Sequence, residues 1–179
     1  MPKVILIQGS LNPDSNTAKL IAATAKQLEQ RNVKHEIIDL RNLELQFCDS
    51  RPLKEYNHDT KTVHQKLADA QGFIFGMPVY CYSVSGPLKN FIDIHSSAME
   101  KKWAGIVGQA GGKSSYMALG DLARILAFES HVTTVQPHVY TTYDDYNGDA
   151  MTSDKTQAKI EEMLDNLIAC LHAVKEENA

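Results

Sequence analysis

A polar segment follows the first apolar run of the chain and reads GSLNPDSNT over residues 9–17. It precedes a stretch with helical periodicity, so its side chains are expected at the N-terminus of a helix. Backbone N–H groups and the positive end of the helix dipole bind phosphate at such a position. Ser10, Ser15, Asn16 and Thr17 can donate further hydrogen bonds. The segment predicts a phosphate site, although the same residue types are also common helix caps and turn formers.

The surrounding sequence favours a monophosphate over a nucleoside triphosphate or a dinucleotide. The segment has neither the GxGxxG nor the GxxxxGK[ST] spacing. Residues 15–28 contain no Asp or Glu, so the helix lacks an acidic capping-box partner. This is expected where an external anion serves the helix end, and Asp14 alone opposes the interpretation.

Two later segments have compositions suited to a flat ring. Residues 77–86 (MPVYCYSVSG) place two tyrosines between an apolar run and a helical stretch, where an aromatic ring can stack. Residues 108–115 (GQAGGKSS) contain Gly111 and Gly112, which let the backbone approach a flat ligand closely. Taken separately, the tyrosines could equally close the edge of the core, and the glycines could form an ordinary turn.

The apolar periodicity predicts five strands that alternate with five helices. Continuous apolar runs are typical of strands buried on both faces of a parallel sheet, and three-four spacing is typical of amphipathic helices. The predicted strands cover residues 3–9, 35–40, 72–77, 103–109 and 132–140, and the predicted helices cover residues 15–31, about 60–70, 86–97, a stretch after 112 to about 130, and 160–174.

This alternation predicts an α/β fold, a flavodoxin-like three-layer sandwich with a five-stranded parallel sheet in the order 2-1-3-4-5. Pro78 is expected to end the third strand, and Pro137 places the fifth strand at the edge of the sheet. Residues 41–58 have no clear period and are expected to form a surface excursion. One domain over residues 1–179 accounts for the length. Ligands of such sheets lie beyond the carboxyl ends of the strands, so the three loops are expected to meet.

Composition and short motifs disfavour several classes of function. The net charge of −4 lacks the basic excess that nucleic-acid binding needs. No run approaches the roughly 20 apolar residues that span a bilayer, and no signal peptide is recognisable, so we expect a cytoplasmic protein without a membrane partner. The three cysteines form no CxxC pair, the histidines lack metal-site spacing and no GxSxG motif occurs. We therefore expect no metal site and no hydrolase triad.

The three loops together resemble those of the NADPH-dependent FMN reductase family, in the same order and over most of the chain. GSLNPDSNT resembles the family's phosphate loop, PVYCYSVSGPLKNFID its segment with proline, an aromatic residue, Ser-Gly and Leu-Lys-Asn, and GQAGGKSS its glycine loop beside the flavin ring. The resemblance implies FMN as the cofactor and NADPH or NADH as the hydride donor.

Carried over by position, the resemblance also implies which residues hold FMN. Many family members have Arg at the position of Asn12 and Glu at the position of Val79, so weaker phosphate binding and a changed subunit or nicotinamide contact are expected here. The implied phosphate residues are Ser10, Ser15 and Thr17, the implied ring residues are Pro78, Val79, Tyr80 and Cys81, the implied polar-edge residues are Gly111 and Gly112, and Asn12, Asn16, Ser83 and Gln109 complete the expected set.

The expected function is an NAD(P)H-dependent reductase in which the flavin carries the chemistry and no side chain is a catalytic nucleophile. Hydride passes from nicotinamide to flavin N5, and the electrons pass on to free flavin, a quinone, an azo compound or a metal ion. Lys101, Lys102 and Lys113 are candidates for meeting a nucleotide phosphate, or are solvated lysines. The resemblance further implies a homodimer or homotetramer built through the third and fourth helices.

Two other functions compete with the reductase. A flavodoxin-like FMN electron carrier would typically have a strongly acidic face for docking, whereas −4 is modest for this length. A flavin-binding regulatory or structural module has no sequence feature in its favour. The sequence leaves open whether NADH or NADPH is preferred, which acceptor is reduced and whether FMN stays bound between turnovers.

Overall fold

The computed structural model describes residues 3–148 and 150–177. Parallel strands form its central sheet in the order β2-β1-β3-β5, and two short strands, β6 and β7, continue it side by side along β5. If β6 and β7 are counted as one interrupted fifth strand, the predicted order 2-1-3-4-5 is confirmed. The strands are β1 (Lys3–Gln8), β2 (Lys34–Asp39), β3 (Gly72–Tyr80), β4 (Ser83–Val84), β5 (Trp103–Gln109), β6 (Thr133–Thr134), β7 (Val139–Thr141), β8 (Tyr146–Asn147) and β9 (Ala150–Met151).

Helices cover both faces of the sheet, which makes the predicted three layers. Along β1, Val4 and Leu6 pack into the core beneath α1 and α5, whereas Ile5 and Ile7 pack into the core beneath α2, α3 and α4. This double burial explains why the strand is apolar at consecutive positions instead of alternating. The helices are α1 (Asn16–Gln30), α2 (His58–Ala68), α3 (Gly86–His95), α4 (Ala118–Ser130) and α5 (Asp154–Glu177).

The third strand does not end at Pro78, contrary to the sequence prediction, but continues to Tyr80. The Gly76 carbonyl accepts a hydrogen bond from Gly9 N–H on the β1 side, and Pro78, two residues further, faces the same side. There β1 has already ended, since its last residue, Gln8, lies opposite Gly76. The missing proline N–H therefore costs no ladder bond. Pro78, Val79 and Tyr80 belong to a strand and not to a loop.

Other element boundaries differ from the prediction in smaller ways. The fifth strand is interrupted between β6 and β7 around Pro137, and both pieces lie at the edge beside β5. Helices α2 and α5 begin at His58 and Asp154, earlier than expected. The excursion 41–58 is irregular apart from 3-10 turns at Leu40–Asn42 and Leu53–Glu55. The hairpin β8–β9 was not predicted.

Within the residues that the structure describes, none of the helices combines the length and the apolar character needed to cross a bilayer.

Candidate functional site

The loops after β1 and β5 meet the carboxyl end of β3 in one open cleft, whereas the loop after β3, which was expected to join them, does not line it. Cys81, Ser83 and Gly112 from the expected set lie outside its lining, and Asp14, Ala110 and Tyr143 are added to it. The expected residues that line it are Ser10, Asn12, Ser15, Asn16, Thr17, Pro78, Val79, Tyr80, Gln109 and Gly111.

Hydrogen-bond donors are left over at the N-terminus of α1. Ser15 is the N-cap, and its Oγ accepts the Ala18 N–H at 3.2 Å. The backbone N–H groups of Asn16 and Thr17 have no acceptor among the described residues, and neither has the Thr17 hydroxyl, although Thr17 is only 1% exposed. The first turn of α1 contains no acidic side chain. These donors suit an external anion.

The loop that carries these donors is held in place by buried hydrogen bonds. The Gln8 side chain is 1% exposed, its Oε1 accepts the Ser10 N–H at 2.6 Å, and its Nε2 donates to the Ser10 carbonyl at 2.8 Å. Ser10 Oγ accepts the Asn12 N–H at 3.2 Å. A Cβ at Gly9 would lie 2.7 Å from the Gly76 carbonyl oxygen, so the close approach of the two backbones at this point requires glycine. The loop of residues 9–17 is therefore held in one conformation.

An ion pair that the sequence prediction missed supports the same loop. Arg41 Nη2 lies 2.6 Å from Asp39 Oδ2, and Arg41 Nη1 donates to the Pro13 carbonyl at 3.0 Å. Gln8 Nε2 also donates to Asp39 Oδ1 at 3.0 Å. Burial raises the pKa of Asp39, but the hydrogen bonds from Arg41 and Gln8 outweigh it, so that the pKa lies below its ordinary value. Asp39 stays anionic and holds Arg41 against the loop.

The second loop is a tight hairpin between β3 and β4. Cys81 and Tyr82 form its two-residue turn with φ of 49° and 62°, and both side chains are exposed. The Ser83 hydroxyl donates to Asp121 Oδ2 of α4 at 2.9 Å, which explains why Ser83 does not line the cleft. Tyr80 does line the cleft and is 51% exposed.

The third loop closes the other side of the cleft. Gln109 is 8% exposed, and its Oε1 accepts a hydrogen bond from the Thr141 hydroxyl at 2.7 Å. The backbone N–H groups of Gly111 and Gly112 have no acceptor among the described residues. A Cβ at Gly111 would contact the Tyr143 ring at 3.7 Å.

Tyr146 of the unpredicted hairpin connects the third loop to the first. Its hydroxyl lies 3.1 Å from Thr141 Oγ1 and donates to the Asn16 carbonyl at 3.4 Å. Burial, the largest cause, raises the pKa of Tyr146 to about 12, so the phenol is neutral at physiological pH. Gly148, which follows the last residue of β8 with a φ of 60°, is the signal from which the sequence could have indicated a turn between β8 and β9.

Two of the three lysines considered for a nucleotide phosphate lie away from the cleft. Lys102 Nζ donates to the carbonyls of Leu67 and Ala68 at 2.8 and 2.7 Å, at the end of α2. Lys101 Nζ lies 3.4 Å from Glu100 Oε1, within ion-pair distance. Both residues precede β5 and therefore lie at the amino end of that strand, whereas the cleft lies at the carboxyl ends of the strands. Lys113 follows the third loop and forms an ion pair with Asp144 at 2.9 Å.

Comparison with known sequences agrees with the resemblance of the three loops. Residues 2–145 match the model of the family described as NADPH-dependent FMN reductase. The chain is 28% identical over 113 residues to an NAD(P)H-dependent FAD/FMN reductase of Geobacillus thermodenitrificans, and the match covers 63% of this chain and 61% of that relative. It is 27% identical over 176 residues to a 2-hydroxy-1,4-benzoquinone reductase of a Burkholderia species, and this match covers 93% of this chain and 94% of that relative.

Comparison with solved structures confirms the fold. The flavoenzyme NAD(P)H:(acceptor) oxidoreductase of Paracoccus denitrificans superposes with a TM-score of 0.80, covering 97% of this chain and 98% of that chain. The two sequences are 19% identical, so the likeness concerns the architecture alone.

Proposed function

Because the chain belongs to the NADPH-dependent FMN reductase family, we propose that it is an NAD(P)H-dependent oxidoreductase that binds FMN in the cleft. The observation that carries the proposal is the pairing of two different surfaces in one cleft. Unsatisfied donors of α1 line one end, and the partly exposed Tyr80 and Gly111 of the third loop also line the cleft. This combination fits a phosphate joined to a flat ring.

The first loop fits the phosphate of FMN. The N–H groups of Asn16 and Thr17, the Thr17 hydroxyl and the Ser10 hydroxyl supply donors beside the positive end of the α1 dipole. Arg41 is already paired with Asp39 and reaches the loop through the Pro13 carbonyl. We therefore assign Arg41 a positioning role, and we assign phosphate binding to neutral donors.

The second and third loops fit the isoalloxazine ring. Pro78, Val79 and Tyr80 line one side, while Gly111, which also lines the cleft, can donate its backbone N–H group toward the polar edge of the ring. Bound flavin supplies the hydride acceptor and the onward electron donor. The protein orients the ring, stabilises negative charge at its polar edge and leaves one side open for a second substrate.

We propose a small molecule as the final acceptor, with free flavin, a quinone, an azo compound or a metal ion as the candidates. The Burkholderia relative is named for reduction of a benzoquinone, which supports a flat organic acceptor. The exposure of Tyr80 and Tyr143, 51% and 66%, is consistent with a ring end that admits such a molecule after the nicotinamide leaves.

We further propose one cytoplasmic domain over residues 1–179 that assembles as a homodimer or homotetramer through α3 and α4. The exposed apolar side chain of Phe128 on α4, at 82%, supports this surface. Light scattering at micromolar concentration should give a multiple of 19.9 kDa, and a monomer mass would contradict the assembly.

Anaerobic mixing of the FMN-loaded protein with NADH or NADPH tests the reductase directly. We expect saturable bleaching of the flavin absorbance without a partner protein, because a nucleotide complex must form before hydride transfer. Addition of oxygen, quinone or free FMN should restore the absorbance. A flavodoxin-like carrier would stay oxidised, so failure to bleach after minutes at millimolar nucleotide would replace the reductase by the carrier.

A further inference from the structure

A groove runs along the outer edge of the sheet, next to the third loop. One half, between that loop and the start of α5, is lined by three lysines, Lys113, Lys155 and Lys159, by one acid, Asp145, and by neighbouring hydroxyl residues. The other half, toward α4, is lined by Tyr116, Met117 and other residues. Tyr140 and Lys159 line both halves, so the two form one surface, which we call the basic groove.

The basic groove adjoins the cleft through consecutive residues. Tyr143 lines the cleft, and its neighbour Thr142 lines the groove. Gly111 lines the cleft, and Lys113, two residues further, lines the groove. The Tyr140 hydroxyl also donates a hydrogen bond to the Gly112 carbonyl, which fixes the boundary between the two. A ligand that occupies the open ring end can therefore extend into the groove.

The charge of the groove is not neutralised by its own acids. Asp144 pairs with Lys113 at 2.9 Å. The carboxylate of Asp145 accepts the Thr142 N–H and the Thr156 hydroxyl, each at 2.8 Å. Lys155 and Lys159 form no ion pair with any acid that the structure describes, and they lie four residues apart on α5, where like charges repel. Two cations are thus available to a ligand.

We propose that the basic groove binds the adenosine 2′-phosphate end of NADPH and makes the chain prefer NADPH over NADH. Lys155 and Lys159 contact the dianionic 2′-phosphate, and the adenine lies against the Tyr116 ring and the Met117 thioether, which belong to residues 59% and 69% exposed. The nicotinamide then lies at the open ring end. The inference rests on the proposed reductase and identifies which part of the chain selects its nucleotide.

Equilibrium binding of nucleotide fragments tests the groove without any turnover. Calorimetry on the FMN-loaded protein should show 2′,5′-ADP binding at least tenfold more tightly than 5′-AMP, which lacks the 2′-phosphate. In Lys155→Ala/Lys159→Ala this ratio should fall below about threefold. The control Lys54→Ala/Lys61→Ala removes the same charge at exposed positions elsewhere and should keep the wild-type ratio.

Steady-state kinetics supply the second readout. The double variant should raise KM for NADPH at least tenfold, while KM for NADH and kcat with either nucleotide change by less than about twofold. If the alanine variant does not fold, Lys155→Gln/Lys159→Gln keeps the aliphatic stems and is expected to give the same loss of preference.

Several outcomes would overturn the proposal. Equal affinities of the wild type for 2′,5′-ADP and 5′-AMP would do so, as would an unchanged ratio in the double variant. Absence of fragment binding together with a lower oligomeric mass in the double variant would show that a second copy of the chain covers the groove. Fragment binding without bleaching by NADPH would reject the reductase function while the groove assignment stands, so the two failures are distinguishable.

Discussion

The two ends of the cleft are built in contrasting ways. At the phosphate end, formed by residues 9–17, Ser10 and Thr17 are 2% and 1% exposed, and buried side chains fix the backbone. At the ring end, formed by the β3–β4 hairpin, the third loop and Tyr143, the tyrosines that line the cleft are at least half exposed. The donors at the phosphate end are therefore fixed before any ligand binds, whereas the ring end is open to solvent, as the proposed flavin site requires.

This division suits a protein that must retain one ligand while it exchanges others. Donors that are already in position lose little entropy on binding, so the phosphate end is expected to supply most of the FMN affinity. An open ring end allows nicotinamide and acceptor to reach the flavin in turn. The following changes test the division, in order of the effect expected.

The largest effect is expected from Thr17→Val, which removes a hydroxyl that has no partner among the described residues but keeps the shape of the side chain. A hydrogen bond to a charged group contributes roughly 1.5–3 kcal/mol, so FMN should bind ten- to a hundredfold more weakly. Riboflavin, which lacks the phosphate, should bind as it does to the wild type. Fluorescence titration of both flavins measures the two affinities.

Thr24→Val is the matched control for this change. Thr24 lies two turns further along α1, where its hydroxyl donates to the Leu20 carbonyl at 2.8 Å away from the cleft. Both flavins should bind this variant normally. If Thr17→Val weakens FMN and riboflavin alike, the phosphate end is a structural cap and the contrast between the two ends disappears.

The phosphate end was largely predictable from sequence because its chemistry is local. Serine is a preferred N-cap residue, and Ser15 is the N-cap of α1. The absence of acidic residues from the first turn could also be read from the sequence. Its supports were not predictable, since Arg41 and Tyr146 reach the loop from 28 and 130 residues away in sequence. Only the folded chain brings such partners together.

The ring end was harder to predict because strand ends depend on neighbouring strands. Pro78 was expected to terminate β3, but the end of β1 opposite Gly76 makes a missing N–H harmless there. Because β3 extends to Tyr80, Cys81 and Tyr82 form the hairpin turn, and the Ser83 hydroxyl donates a hydrogen bond to Asp121. The sheet order was predictable, since continuous apolar runs alternating with helices leave few arrangements.

Gly111→Leu should affect the ring end without affecting the phosphate end. The added side chain has space in the protein, since a Cβ there meets the Tyr143 ring at 3.7 Å, but it projects from a residue that lines the cleft. We expect FMN and riboflavin to weaken equally, by about tenfold or 1.4 kcal/mol. Gly120→Leu, where a Cβ meets nothing within 4 Å, is the control and should bind both flavins normally. A loss restricted to FMN would contradict the division.

Tyr146→Phe tests the connection between the ends with a smaller effect. Loss of the hydroxyl contacts to Thr141 and Asn16 should lower the free energy of unfolding by about 1 kcal/mol at pH 7 and weaken FMN less than threefold. Denaturant unfolding and flavin titration measure these two changes.

The pH dependence of the same variant gives the sign of the tyrosine's contribution. The folded-state pKa of Tyr146, about 12, lies above the ordinary value near 10, because burial favours the neutral phenol. Its stabilisation is therefore complete below pH 10 and is lost as the pH rises from 10 through 12. Because each unit of pKa shift corresponds to about 1.4 kcal/mol, the stability gap of about 1 kcal/mol between wild type and Tyr146→Phe should close at about pH 11 and reverse in sign by about pH 12. A gap that stays constant from pH 9 to 12 would show that the phenol is not buried as described.

The smallest effect is expected from the tip of the hairpin, where Cys81→Asn/Tyr82→Gly replaces both turn residues. Cys81 and Tyr82 adopt positive φ in a two-residue β-hairpin turn, a conformation for which Asn-Gly is the preferred pair. Relief of the unfavourable backbone conformation should raise the free energy of unfolding by about 0.5 kcal/mol. Because neither side chain lines the cleft, FMN affinity should stay within twofold of the wild type. Thermal melting and flavin titration of the same sample separate the two quantities. A tenfold loss of FMN with normal or raised stability would place the hairpin tip against the ring, and the ring end would then be more enclosed than the contrast with the phosphate end requires.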